Sequence, residues 1–335
     1  MSLANVVAAS MFAGITLYAL LAGADFGAGF WDLVAGGTVR GAPTRALIEE
    51  SIGPVWEANH VWLIFVLVTL WTGFPSAFAP IMSTLYVPLT LAAVGIILRG
   101  SAFAFRKASR TIAARRLYGI AFASSSVITP YFLGSIVGGV ASGRVPVGTR
   151  AGDVLRSWLN PTSVLGGVMA VVVCAFLAAV YLAADAERRG RPELANGFRH
   201  RSLLAGIVGG AVAAVGVAVL HADAPSLFHG LTHRGALLIG VSAAAGACTL
   251  VLIARRRFAI ARYIAALAVV AVLWGWAAGQ YPWMLEHELT IEAAAAPRAT
   301  LTAGLVALGA GSLVLAPALV WLLVLVQRGT LASES

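Results

Sequence analysis

A carboxylate, an amide and an imidazole interrupt a run that otherwise has the composition of a membrane helix. Trp56-Glu57-Ala58-Asn59-His60-Val61-Trp62-Leu63 opens an apolar segment continuing to Leu70 and Trp71. A charged side chain at the centre of a bilayer helix costs about 2.5–3.5 kcal/mol on insertion scales, so such groups face protein or water. At helical spacing Trp56, Asn59 and His60 share one face, and Glu57 lies three residues before His60. The expectation is a polar face turned inward, with Glu57 a buried carboxylate that exchanges protons near neutral pH and His60 a second proton carrier.

The rest of the chain sets that stretch in a membrane. Only 11% of its 335 residues are charged, mean hydropathy is +0.89, and the formal net charge of +9 comes from short basic clusters between apolar runs. That distribution reports orientation in a bilayer and gives no support to nucleic-acid binding. Segments of about 20 apolar residues are long enough to span the hydrocarbon core. Nine are predicted, at 5–34, 53–73, 77–105, 117–141, 162–184, 202–221, 235–254, 261–281 and 300–326. With the N-terminus outside, the inner loops carry 17 basic residues and the outer loops 5, with Arg99 inside the third span. This bias predicts a multi-pass protein with N-terminus out and C-terminus cytoplasmic.

No Lys or Arg occurs in the first 39 residues, so the first apolar run reads as a retained helix and not a signal peptide. No soluble domain is expected. Residues 1–335 form one integral membrane unit, with 1–141 the bundle carrying the polar seam and 142–335 a second bundle and peripheral helix. Loop 282–299, with Glu286, His287, Glu288 and Glu292, reads as a solvated connection or a docking surface.

Several further residues bear on chemistry. Asp25 lies in the first span among Gly23, Gly27, Ala22 and Ala28, a stripe suited to close helix contact. Asp32, nearer the end of that span, reads as solvated. Arg99 lies inside the third span, either snorkelling to the cytoplasmic surface or pairing with an intramembrane carboxylate or a lipid or quinone headgroup. Cys174 and Cys248 are apolar packing residues without metal-ligand spacing. An axial haem role for His60 lacks a second histidine in a neighbouring core position, because His200, His221, His229, His233 and His287 fall at span ends or in loops. No metal is expected on this chain.

Three stretches together resemble subunit II of the cytochrome bd-type quinol oxidases, including the cyanide-insensitive kind. They are Gly23-Ala24-Asp25-Phe26-Gly27, Ser51 through Leu63, and Leu98-Arg99-Gly100 through Phe105-Arg106, with weaker echoes at Thr129-Pro130, Leu159-Asn160-Pro161 and Tyr281-Pro282. The resemblance implies an all-α fold of about nine transmembrane helices, built as two four-helix bundles plus a peripheral helix, in a bacterial-type inner membrane. It also implies a haem-bearing subunit I as partner, with haems b and d in that partner and none ligated here. Quinol and dioxygen would be substrates of the complex, water its product. Some members add a structural quinone or a small single-helix accessory subunit.

Under the resemblance Glu57 stands where the family has an intramembrane acid proposed to conduct protons. Trp56, Asn59, Trp62 and Arg99 would support it, and His60 and Asp25 would extend the path. The family often has an Asp where this chain has Ala22, which changes the first-helix part of that route. This chain alone is expected to have no activity. The competing class is a stand-alone ion-coupled transporter or channel, with Asp25, Glu57 and Arg99 lining its path.

Overall fold

The computed structural model describes residues 2–37, 39–52, 57–109, 111–148 and 151–327. The chain is an all-α polytopic membrane protein. Helix α1 (Leu3–Leu33) is followed by the short α2 (Ala42–Ile52), α3 (His60–Gly73), α4 (Pro75–Thr84), α5 (Tyr86–Ala108) and α6 (Ile112–Ala141). Then come α7 (Pro161–Arg188), α8 (Pro192–Asp223), α9 (Pro225–His233), α10 (Ala236–Ala254) and α11 (Phe258–Gln280). A hairpin of β1 (Trp283–Leu285) and β2 (Leu289–Thr290) leads through α12 (Ile291–Ala294) to α13 (Arg298–Gln327).

Among the described residues eight helices are long and apolar enough to cross a membrane, and α3 with α4 makes a ninth, bent by 118°. Helices α1, α3, α5 and α6 form one bundle and α7, α8, α10 and α11 another, joined where α1 and α6 pack on α7. Helix α13 lies outside both, against α1 and α3, and most of its length is exposed.

Two expected spans differ in extent. The second begins as helix only at His60, because residues 57–59 form a turn whose i to i+3 hydrogen bonds lead into α3. The third, expected as one helix over 77–105, is broken at Leu85. Pro88 explains the break: it cannot donate to the Thr84 carbonyl four residues back, and its ring crowds that group.

Prolines also explain a correspondence between the bundles. Phe74 (φ −137°, ψ 58°) and Ala224 (φ −139°, ψ 63°) each end a helix, α3 and α8, just before a proline, which disfavours helical backbone in the residue ahead of it. Each is followed by a short helix with proline at its first position, Pro75-Ser76-Ala77-Phe78 in one case and Pro225-Ser226-Leu227-Phe228 in the other. The second bundle thus repeats the helix order of the first.

The junction of the bundles depends on bare backbone. A methyl group at Gly27 of α1 would fall 1.8 Å from the Cys174 carbonyl oxygen of α7, and one at Gly134 of α6 would fall 2.3 Å from the Gly166 carbonyl oxygen of α7. Trp31 Nε1 donates to the Ala175 carbonyl at 2.8 Å beside this contact.

Replacing Gly27 with Ala must push α1 and α7 apart and is expected to cost about 1–3 kcal/mol of stability. Gly240→Ala, where nothing lies within 4 Å, should be nearly neutral. Thermal unfolding of the purified protein, followed by tryptophan fluorescence, checks the contrast.

Candidate functional site

Arg99 is 1% exposed, the largest side chain so fully buried. It lies on α5 among apolar residues, so it does not snorkel to the surface as one reading of the sequence allowed. Its Nε donates to Ser126 Oγ of α6 at 3.1 Å, and its guanidinium carbon sits 4.9 Å from the Phe26 ring and 5.1 Å from the Phe122 ring. A cation between two aromatic faces, desolvated, gains on the order of 2 kcal/mol from the ring quadrupoles. Gly95, one turn earlier on α5, makes room for Thr129 of α6: a methyl there would lie 2.3 Å from Thr129 Oγ1.

Opposite Arg99 is Asp25 of α1, buried at 6% exposure. Asn59 Nδ2 donates to its Oδ2 at 2.5 Å. Asp25 and Arg99 attract each other through space without a contact ion pair. Asn59 reaches inward because it is the last residue of the turn preceding α3, so its side chain drops onto α1. The next residue, His60, has its Nδ1 3.4 Å from the Tyr18 hydroxyl, and its ring packs 6.3 Å from Phe26. Trp62 and Leu63 close the side of this group against Tyr18, Ala22, Phe26 and Cys174. The cluster therefore joins α1, the start of α3, α5 and α6 in one bundle, with Cys174 of α7 at its back.

The structure separates Glu57 from this group. Its side chain is exposed on the surface of this chain, in the turn and not within a helix. The expected buried carboxylate is corrected: helix begins three residues later, so Glu57 is at the surface end of the cluster and Asp25 is its buried acid. Trp56 lies outside the described residues.

A second correction concerns Asp32, which is not solvated but 5% exposed. Arg45 Nε donates to Oδ1 and Arg106 Nη1 to Oδ2, both at 2.7 Å. A third concerns loop 282–299, which folds into the hairpin and α12 and buries Glu286. Sequence reasoning missed Tyr18, Phe26, Phe122 and Ser126, ordinary membrane-helix residues individually. One trace was available: Asp25 and Asp32 are seven apart, as are Arg99 and Arg106, which places each pair on one helix face.

His60 is engaged with Tyr18 and packed between rings, and His200, His221, His229, His233 and His287 are exposed. Among the described residues no group of three or more His, Cys, Asp or Glu could hold a metal ion.

The fold and this buried polar cluster define a polytopic membrane protein of two packed helix bundles. A bd oxidase chain from Geobacillus thermodenitrificans superposes with a TM-score of 0.74, covering 96% of this chain and 98% of that one at 23% identity, so the likeness there is one of fold. Residues 3–326 match the pattern of the family Cytochrome bd terminal oxidase subunit II, and the chain belongs to that family. It is 26% identical over 170 residues to cytochrome bd ubiquinol oxidase subunit 2 of Bacillus subtilis, covering 50% of this chain and 48% of that protein. It is 27% identical over 173 residues to cytochrome bd-I ubiquinol oxidase subunit 2 of Escherichia coli K12, covering 49% and 44%. These alignments span about half the length of the curated relatives.

Asn59→Leu would leave the buried Asp25 carboxylate without its donor. A loss of about 1–3 kcal/mol is expected from the unmade hydrogen bond. Asn59→Asp should be worse, since it faces a carboxylate with another carboxylate. Thermal unfolding of both variants beside the parent checks the order.

Proposed function

We propose that this chain is subunit II of a cytochrome bd-type terminal oxidase that oxidises quinol and reduces dioxygen to water, bound in a bacterial inner membrane to a haem-bearing subunit I. Family membership supports the oxidase over a stand-alone transporter. Haems b and d would reside in the partner, where they supply the oxygen chemistry. The N-terminus would be outside and the C-terminus cytoplasmic, as the distribution of basic residues argues.

The observation that carries a role for this chain is the Asp25, Asn59 and Arg99 cluster, inside helices otherwise apolar. Burying a carboxylate and a guanidinium in a membrane bundle is costly, and such groups mark proton or ion pathways. Glu57 is the surface acid nearest this cluster in sequence, tied to the start of α3 by the hydrogen bond from the His60 backbone N–H to the Glu57 carbonyl. In the assembled complex Glu57 would receive a proton at the surface of this chain. Asn59, His60 and Asp25 would then hold the polar path that leads it toward the partner, with Arg99 the buried cation of the same cluster.

Replacing Glu57 with Gln in the assembled complex should slow oxygen consumption on the order of a hundredfold, the lower end of what one positioned proton-transfer group contributes, with haem spectra unchanged. Unaltered turnover would remove Glu57 from the path. Loss of the haems would assign it to assembly instead.

A further inference from the structure

The polar cluster has a second approach, at the C-terminal ends of α1 and α5. Asp32 lies two turns beyond Asp25 on α1, and Arg106 two turns beyond Arg99 on α5, about 10 Å of rise in each case. The two helices therefore carry two matched levels of carboxylate and guanidinium. At the outer level the pairing is in contact. Arg45 from α2 completes it, and its own position is fixed by Nη2 donating to the Gly36 carbonyl at 2.6 Å and Nη1 to the Gly37 carbonyl at 3.2 Å.

A cavity the size of about one water molecule opens at this level, lined by Asp32, Arg45, Glu49, Arg106, Phe103 and Phe122. Phe122 is shared with the deeper level, since the same ring lies 5.1 Å from the Arg99 guanidinium. Phe103 packs 5.8 Å from Phe122. One aromatic layer therefore separates the cavity from Arg99, and Arg99 in turn lies against Phe26, the residue beside Asp25.

We propose that Asp32 is a positioning residue that holds Arg45 and Arg106 across this mouth, closing the route from that end of the bundle to Asp25 while both ion pairs stand. Both of its oxygens accept guanidinium N–H bonds. Its effect is to anchor two long side chains over the Phe122 layer. This deepens the relay proposed above by naming what closes the approach between the ends of α1 and α5, at the same end of the bundle as the Glu57 turn, and it rests on that reading for its relevance to turnover.

Cys174 supplies an internal reporter. It is buried in the group containing Phe26 and Tyr18, so a small water-soluble methanethiosulfonate reagent reaches it only when the cluster opens. Labelling of the assembled complex is followed at Cys174 by peptide mass spectrometry, which separates it from the exposed Cys248.

Asp32→Ala should label at Cys174 about tenfold faster than the parent, the change expected when a charge-assisted contact of about 1.4 kcal/mol is lost from a closed state. Asp32→Glu should return the rate to near the parent's. Arg106→Gln, which removes one of the two pairs, should move it in the direction of Asp32→Ala and serves if that variant does not assemble. Parent-like labelling in Asp32→Ala or Arg106→Gln, with haem spectra and subunit association intact, would overturn the proposal. So would an Asp32→Glu variant that labels as fast as Asp32→Ala. Glu57→Gln should leave Cys174 labelling unchanged, so failure of the relay at Glu57 and failure of the closure at Asp32 give different results.

Discussion

A guanidinium that cannot reach water organises the first bundle. Arg99 sits midway along packed helices, and hydrocarbon offers it nothing, so its surroundings must replace hydration. The replacement is spread over three helices: Phe26 and Asp25 from α1, Phe122 and Ser126 from α6, with Gly95 on its own helix letting α6 approach. Each requirement constrains a neighbour. Ser126 fits where it does because Gly29 of α1 has no side chain, since a methyl group there would lie 2.2 Å from the serine oxygen. Asp25, whose charge balances the guanidinium, needs Asn59, and Asn59 is delivered by the turn that starts α3. The arrangement of α1, α3, α5 and α6 follows from housing one cation.

How much of this the sequence discloses depends on the kind of signal. Membrane class, the spans and the polar intrusions at Asp25, Asn59, His60 and Arg99 are legible because ionisable and amide groups are conspicuous in apolar runs. The exposure of Glu57 is not. Periodicity extended the second helix backward through residues 57–59, whereas the chain turns there, and a short turn carries no period by which to detect it. Asp32 was misjudged for a different reason. Its partners are 13 and 74 residues away, and nothing local distinguishes a carboxylate held by two arginines from one in water. The aromatic residues around Arg99 were illegible because phenylalanine in a membrane helix is unremarkable until a cation is found against it.

The two bundles show how proline places breaks without committing a chain to one shape. Phe74 and Ala224 have nearly identical backbone angles, yet they belong to bundles with different contents. The first holds the buried charges. The second is lined by the alanines and valines of α7, with Phe198, Ile253 and Phe258, and is held by close backbone approaches such as Gly230 against Gly279. Helix order and break positions repeat while side-chain chemistry differs, and among the described residues the buried Asp25, Asn59 and Arg99 belong to the first bundle.

The brevity of α3 reaches beyond the protein itself. Its 14 residues rise only about 21 Å, against a hydrocarbon core of about 30 Å, while the 31 residues of α1 rise about 46 Å beside it. A short wall next to a long one creates hydrophobic mismatch along one flank. Lipids there must shorten or disorder their chains, or another protein surface must replace them. That flank includes the turn carrying Glu57. Bilayer thickness thereby becomes a physical variable acting on this edge of the subunit.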